Sequence, residues 1–193
     1  MMKWMPLAMV MALSACSTTT QTTMYQLPAG APAMAPVSQS TLLAESALPL
    51  WVEHVSVPDY LAGNGVVYQT SDVKYVIAAN NLWASPLDQQ LQQTLVTNLS
   101  AALPGRLVSA LPLGEQHDTL NVSVTGFHGR YDGQVVISGS WTLEHGGRIT
   151  RQPFNLTLPQ QEDGYDALVR TLAQGWQQEA QKMAIAFSAL QNN

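Results

Sequence analysis

Three stretches in the second half of the chain alternate apolar with polar residues: Leu120, Val122 and Val124; then Val135, Ile137, Gly139, Trp141 and Leu143; then Phe154, Leu156 and Leu158. A period of two sends alternate side chains to opposite faces of a strand. The steps between them, Asp132-Gly133 and Gly146-Gly147, are residues that accept the positive φ of tight hairpin turns. Three antiparallel strands joined by hairpins are expected, with one apolar face that something else must cover.

Two amphipathic helices are available to cover it. Leu87, Leu91, Leu95, Leu99 and Leu103 recur every fourth residue, which draws one stripe along a helix. Its start reads Ser85-Pro86-Leu87-Asp88: a capping hydroxyl, a proline where no backbone N–H is needed, and a carboxylate near the positive end of the dipole. Pro104-Gly105 stops it, and Gln89, Gln90, Gln92 and Gln93 are expected to face water. The second helix, Asp163 to Leu190, carries Leu168, Leu172, Trp176, Ala180, Met183 and Phe187 at steps of three and four, with Gly175 as a weak point.

Upstream, Leu50 to Val57 reads as a strand ended by Pro58-Asp59. Val66-Val67-Tyr68 follows the Gly63-Asn64-Gly65 turn, and Val73 to Ala78 makes a third strand. The expected fold is α+β: a mostly antiparallel sheet with two helices on one face, in the order β-β-β-α-β-β-β-α.

The N-terminus has a different character. Met1, Met2 and Lys3 precede an apolar stretch, Trp4 to Ala12, too short to span a bilayer. It closes on Leu13-Ser14-Ala15-Cys16, a lipobox in which small residues precede the thiol that takes a diacylglycerol. Cys16 is the only cysteine of the 193 residues, so no disulfide framework or thiolate metal cluster is available. Residues 1–15 are therefore expected to be a signal peptide, and residues 16–46 a lipidated cysteine with a Thr/Ala/Pro-rich tether that cannot pack alone. Tyr25-Gln26-Leu27 is the one place where this tether could add a short strand. Residues 47–193 form a single domain. Two or three acyl chains would make the anchor permanent, and Ser17, which is not Asp, favours the outer membrane over retention in the inner one.

The net charge is −5 and no basic run exists, which argues against nucleic acid as a partner. No Gly-x-Ser-x-Gly elbow is present, and Ser140 falls inside a strand. His54, His117, His128 and His145 are scattered singly, so no metal site and no cofactor is expected. His128 lies in the Gly126 to Gly133 stretch, read as a mobile hairpin end. Pro58-Asp59-Tyr60-Leu61 either exposes Tyr60 and Leu61 to a partner or folds them back as a core plug. Trp83 is expected to staple the start of the first helix.

Taken together, the lipobox, Tyr25-Gln26-Leu27, Val57-Pro58-Asp59-Tyr60-Leu61, the Tyr75 strand, Trp83-Ala84-x-Pro86-Leu87, the leucine-striped helix, three strands and a C-terminal helix resemble the ABC-type transport auxiliary lipoprotein family. The resemblance implies an accessory role in intermembrane lipid transport and no enzymatic activity. It implies Cys16 bearing a diacylglycerol thioether and an N-acyl chain, on the periplasmic face of the outer membrane. It also implies docking of an MCE-type tunnel protein through Pro58, Asp59, Tyr60, Leu61 and Trp83, and a homo-oligomer in the form of a ring. Two other readings stay open: a tethered regulator of a cell-wall synthase, and a periplasmic lipid carrier with a cavity bordered by Trp51, Trp141 and Trp176.

Overall fold

A computed structural model describes residues 21–30, 48–112 and 114–191. Cys16, the signal peptide and most of the tether lie outside the described residues. The strands are β1 (Thr23–Tyr25), β2 (Leu50–Ser56), β3 (Gly65–Ser71), β4 (Lys74–Trp83), β5 (Val108–Ser109), β6 (Asp118–Arg130), β7 (Gln134–His145) and β8 (Arg148–Pro159). The helices are α1 (Asp59–Ala62), α2 (Leu87–Ala102) and α3 (Tyr165–Gln191).

The hairpins form where the alternation places them. β6 pairs antiparallel with β7 and β7 with β8. Gly146 and Gly147, both at positive φ, make the two-residue turn between His145 and Arg148. Gly139 sits where a Cβ would come within 2.2 Å of the Ser123 carbonyl and 2.7 Å of the Phe154 ring, so strand approach requires glycine there.

The α+β class holds, but the sheet is mixed rather than mostly antiparallel. β2 and β3 both run parallel to β6, β1 runs parallel to β4, and β5 parallel to β2. The element order is also longer than expected, because β1, α1 and β5 are added, and β4 runs on past the expected Ala78 to Trp83. β6 explains much of this. Its early residues, Asp118 to Ser123, pair with β2, and Gly129 and Arg130 pair with β3. The two strands thus line successive stretches of β6, and α1 lies between them in the chain. The Gly126 to Gly133 stretch is correspondingly not a mobile end. β6 continues through it to Arg130, His128 is buried, and only residues 131–133 turn.

Both long helices bury their stripes. Leu87, Leu91, Leu95, Leu99 and Leu103 are buried, as are Leu168, Leu172, Trp176, Ala180, Met183 and Phe187. Trp176 stands at the junction: its indole N–H donates to the Leu91 carbonyl at 3.1 Å, and its ring meets Phe127 and Phe154 with centroids 6.3 and 6.2 Å away. Gly175 is a close approach rather than a weak point, since a Cβ there would lie 2.1 Å from Ile137 Cδ1.

α2 departs from expectation on its polar side. Ser85 makes no cap; Pro86 precedes the helix without a side-chain hydrogen bond. Gln90, Thr94 and Asn98, spaced every four residues, are buried instead of solvated. The N-terminal segment explains this. Gln90 Oε1 accepts from the Leu27 N–H at 2.8 Å, its Nε2 donates to the Ser85 carbonyl at 2.8 Å, and Asn98 Oδ1 accepts from the Gly30 N–H at 3.3 Å. Leu27 is buried in the main core, and β1 pairs in register Thr23 with Asn81, Met24 with Leu82, and Tyr25 with Trp83. Part of the expected tether therefore belongs to the folded domain.

Candidate interaction surface

Pro58 leads the chain from β2 into α1, a single turn in which Leu61 and Ala62 donate their N–H groups back to the Pro58 carbonyl at 2.9 and 3.1 Å. Leu61 points into the core and is fully buried. Tyr60 is half-buried, and its phenol donates to the Thr125 carbonyl at 2.7 Å. Thr125 is the residue skipped in the β6–β7 register between Val124 and Gly126, so the phenol satisfies backbone at a bulge. Burial and the neighbouring Tyr75 push the Tyr60 hydroxyl up to about 12, which keeps it a neutral donor.

The expectation that Leu61 is exposed to a partner is therefore corrected, and the core-plug reading fits it. Trp83 is likewise buried, packed on Phe127 with centroids 6.4 Å apart at the last position of β4. Neither side chain offers surface in this conformation. Of the five residues that the motifs singled out, Asp59 is exposed, and Pro58 and Tyr60 are half-buried. Tyr60 packs against Tyr75 with tilted rings 5.1 Å apart, and Tyr75 meets the buried His128 edge-on at 5.1 Å. Sequence reading missed this three-ring cluster, because His128 reaches Tyr75 only once β3 is laid beside the end of β6. Burial, reinforced by the Arg130 charge, pushes His128 below the usual histidine range, against an opposing hydrogen bond to the Gly129 carbonyl.

A second polar cluster lies elsewhere. Asp118 is fully buried at the start of β6, with the Arg106 guanidinium on Oδ2 and His145 Nδ1 at 2.8 Å from Oδ1. Arg106 Nε donates to the Leu48 carbonyl at 2.9 Å, and Asp118 N–H to the Pro49 carbonyl at 2.8 Å. Arg106, Asp118 and His145 thus tie the chain between α2 and β5 to β6, β7 and the approach to β2. Burial pushes the Arg106 guanidinium down while the Asp118 charge opposes it. Arg106 Nη1 is buried with no hydrogen-bond partner among the described residues.

The remaining chemistry-bearing groups stand apart. Ser140 accepts from Arg151 at 3.1 Å. Among the described residues no group of three or more His, Cys, Asp or Glu side chains is placed to hold a metal ion, and no helix is long and apolar enough to cross a membrane. Clefts of about 300 and 490 Å³ open beside Tyr68 and Tyr165, and between Met24 and Arg170. Trp141 lines a separate one of about 250 Å³ with Glu179 and Lys182. Trp176 is packed in the core, and the indole N–H of Trp51 donates to the Ala110 carbonyl at 3.3 Å. Neither Trp51 nor Trp176 lines any of these three clefts.

A leucine-striped helix and a long C-terminal helix on a mixed sheet, with an N-terminal segment strapped to its edge, define a class. The chain belongs to the family of ABC-type transport auxiliary lipoprotein components, whose model matches residues 25–184. Within it, the chain is 55% identical over 185 residues to the intermembrane transport lipoprotein PqiC of Escherichia coli K12, covering 95% of this chain and 96% of that one. The PqiC of Shigella flexneri matches to the same extent. The expected resemblance to the auxiliary lipoprotein family is thus met. A crystal structure of an uncharacterized protein, 58% identical, superposes with a TM-score of 0.75 over 86% of this chain and 99% of its own. A Xanthomonas campestris protein, 15% identical, shares the fold with a TM-score of 0.66 over 89% of this chain and all of its own.

Proposed function

We propose that this chain is the outer-membrane lipoprotein component of an MCE-type intermembrane lipid transport system, docking the tunnel protein where it reaches the outer membrane. The observation that carries this reading is the match over nearly the whole chain to relatives named intermembrane transport lipoprotein. Cys16, acylated as a diacylglycerol thioether and on its nitrogen, holds the domain on the periplasmic face, and a ring of copies surrounds the mouth of a PqiB-like tunnel protein.

The geometry suits docking better than chemistry. Asp59 stands exposed on a turn whose flanking residues are fixed: Leu61 is sunk in the core, and Tyr60 is hydrogen-bonded to β6 and packed against Tyr75. A contact surface rigid before binding loses little conformational entropy on association. The lipid-carrier alternative draws no support from Trp176, which is packed in the core rather than against a cavity it was expected to border.

An in-cell photo-crosslinker in place of Asp59, with a second in place of the exposed Gln89 on α2 as control, tests the reading. Capture of an MCE-type protein from position 59 and not from 89 is expected. A cell-wall synthase caught from position 59, or only copies of this chain from both positions, overturns it.

A further inference from the structure

β1 covers β4 only at Asn81, Leu82 and Trp83, so among the described residues β4 from Lys74 to Asn80 has a strand neighbour on the β3 side alone. Exposed strand edges are usually guarded by charge or proline. Here the hairpin tip and the strand behind it carry Val73 at 77% exposure, Tyr75 at 44%, Val76 at 50% and Ile77 at 53%. Lys74 and, at the turn, Asp72 are the charges beside them, with Gln69 Nε2 donating to the Asp72 carbonyl at 3.3 Å. Tyr75 and Ile77 share one face of β4, Val76 lies on the other, and Val73 stands at the tip, so large apolar side chains are exposed on both sides of this short arm, unlike the single exposed residues of an ordinary surface.

The direction of β1 indicates what covers this arm. β1 runs parallel to β4, so the chain that leads into Thr23 arrives from the side of the β3–β4 hairpin tip. Cys16 stands seven positions before Thr23, and at ~3.5 Å per residue it reaches at most about 25 Å from it. Val73 lies eight strand positions from Asn81, the partner of Thr23, which is about 26 Å at ~3.3 Å per residue. The hairpin tip is therefore level with the furthest point an anchor on Cys16 can attain along β4.

We infer that the β3–β4 hairpin docks on a lipid surface, with Val73 at the tip and Ile77, on the strand face it shares with Tyr75, seated in the leaflet that holds the anchor, and the Tyr75 phenol and the Lys74 ammonium reaching headgroup level. This rests on the proposed acylation of Cys16. Tyrosine and lysine suit that position because each has an apolar body and a polar end. A short anchor and an apolar tip give two attachments that act together, which also fixes the orientation of the domain on the membrane.

The sole native thiol is consumed by acylation, so an introduced cysteine can be labelled uniquely. Acylated full-length protein carrying bimane at Val73→Cys or Ile77→Cys is placed on phosphatidylethanolamine/phosphatidylglycerol vesicles with spin-labelled acyl chains. Ile149→Cys, on the exposed β8 side of the opposite hairpin turn, is the comparison. Quenching several-fold stronger at 73 and 77 than at 149 is expected. Equal, weak quenching in protein that floats with the vesicles overturns the inference while leaving the anchor intact. A blue-shifted, unquenched probe at 73 also overturns it, because a second copy then covers the tip. Protein that does not float lacks the anchor, and the inference falls with it.

Discussion

Single residues carry unequal weight in this domain. Asp118 is a fully buried carboxylate facing Arg106 and His145, and deleting one member of such a cluster strands the others without compensation. Asp118→Ala is expected to lower unfolding stability by about 3–5 kcal/mol in urea with an unchanged denaturant slope. Arg106→Met with Asp118→Leu should lose much less. His128 sets a pH dependence. Its folded pKa lies below the ~6.5 of an unfolded histidine, so under that pH the unfolded chain binds more protons and stability falls as the solution is acidified. His128→Gln should flatten the decline below neutrality in thermal melts across pH. Glu179, raised by burial against the opposing charge of Lys182, has the opposite sign and is common to both proteins. Neither residue was recognisable beforehand. Four histidines spaced far apart say nothing about partners until β6, β7 and the segment after α2 are brought together.

Elements were far more legible than contacts between them. The period of two placed β6, β7 and β8, and the leucine and C-terminal stripes placed α2 and α3, because each pattern is local and face-specific. Parallel pairing was not legible, since it depends on which strand lies beside β6 and no turn signal records that. The glutamines of α2 misled for a similar reason: Gln90 looks solvated until a segment sixty residues upstream covers it. Close approach between elements is testable at Gly139. A methyl there meets backbone on one side and a phenyl ring on the other, so Gly139→Ala should cost about 1–3 kcal/mol through overpacking. Calorimetry on the purified domain measures it. Gly175→Ala should cost less, because the obstructing atom is the end of the Ile137 side chain and alanine favours the helix.

For the whole molecule, the strapped N-terminal segment changes the geometry of attachment. A tether reaching from Cys16 to residue 46 would let the domain roam; with β1 and Leu27 belonging to the folded domain, the proposed anchor stands only seven positions before the first strand. The alternation at Tyr25-Gln26-Leu27 marked the place, although the strand itself is Thr23–Tyr25 and Leu27 lies beyond it in the core. Leu27→Ala should weaken the strap by about 2–5 kcal/mol. Faster hydrogen exchange at the Leu27 and Gly30 amides, with β6 and β7 unchanged, is the expected readout.

The parallel register of β1 on β4 has a mechanical meaning as well. If the proposed anchor on Cys16 were under tension, β1 would be pulled along its own axis, so its backbone bonds to β4 would be loaded together in shear rather than peeled one at a time. Behind them stand the Gln90 and Asn98 contacts to Leu27 and Gly30. Under the proposed anchoring, that series would bear the load ahead of β2 and the folded core.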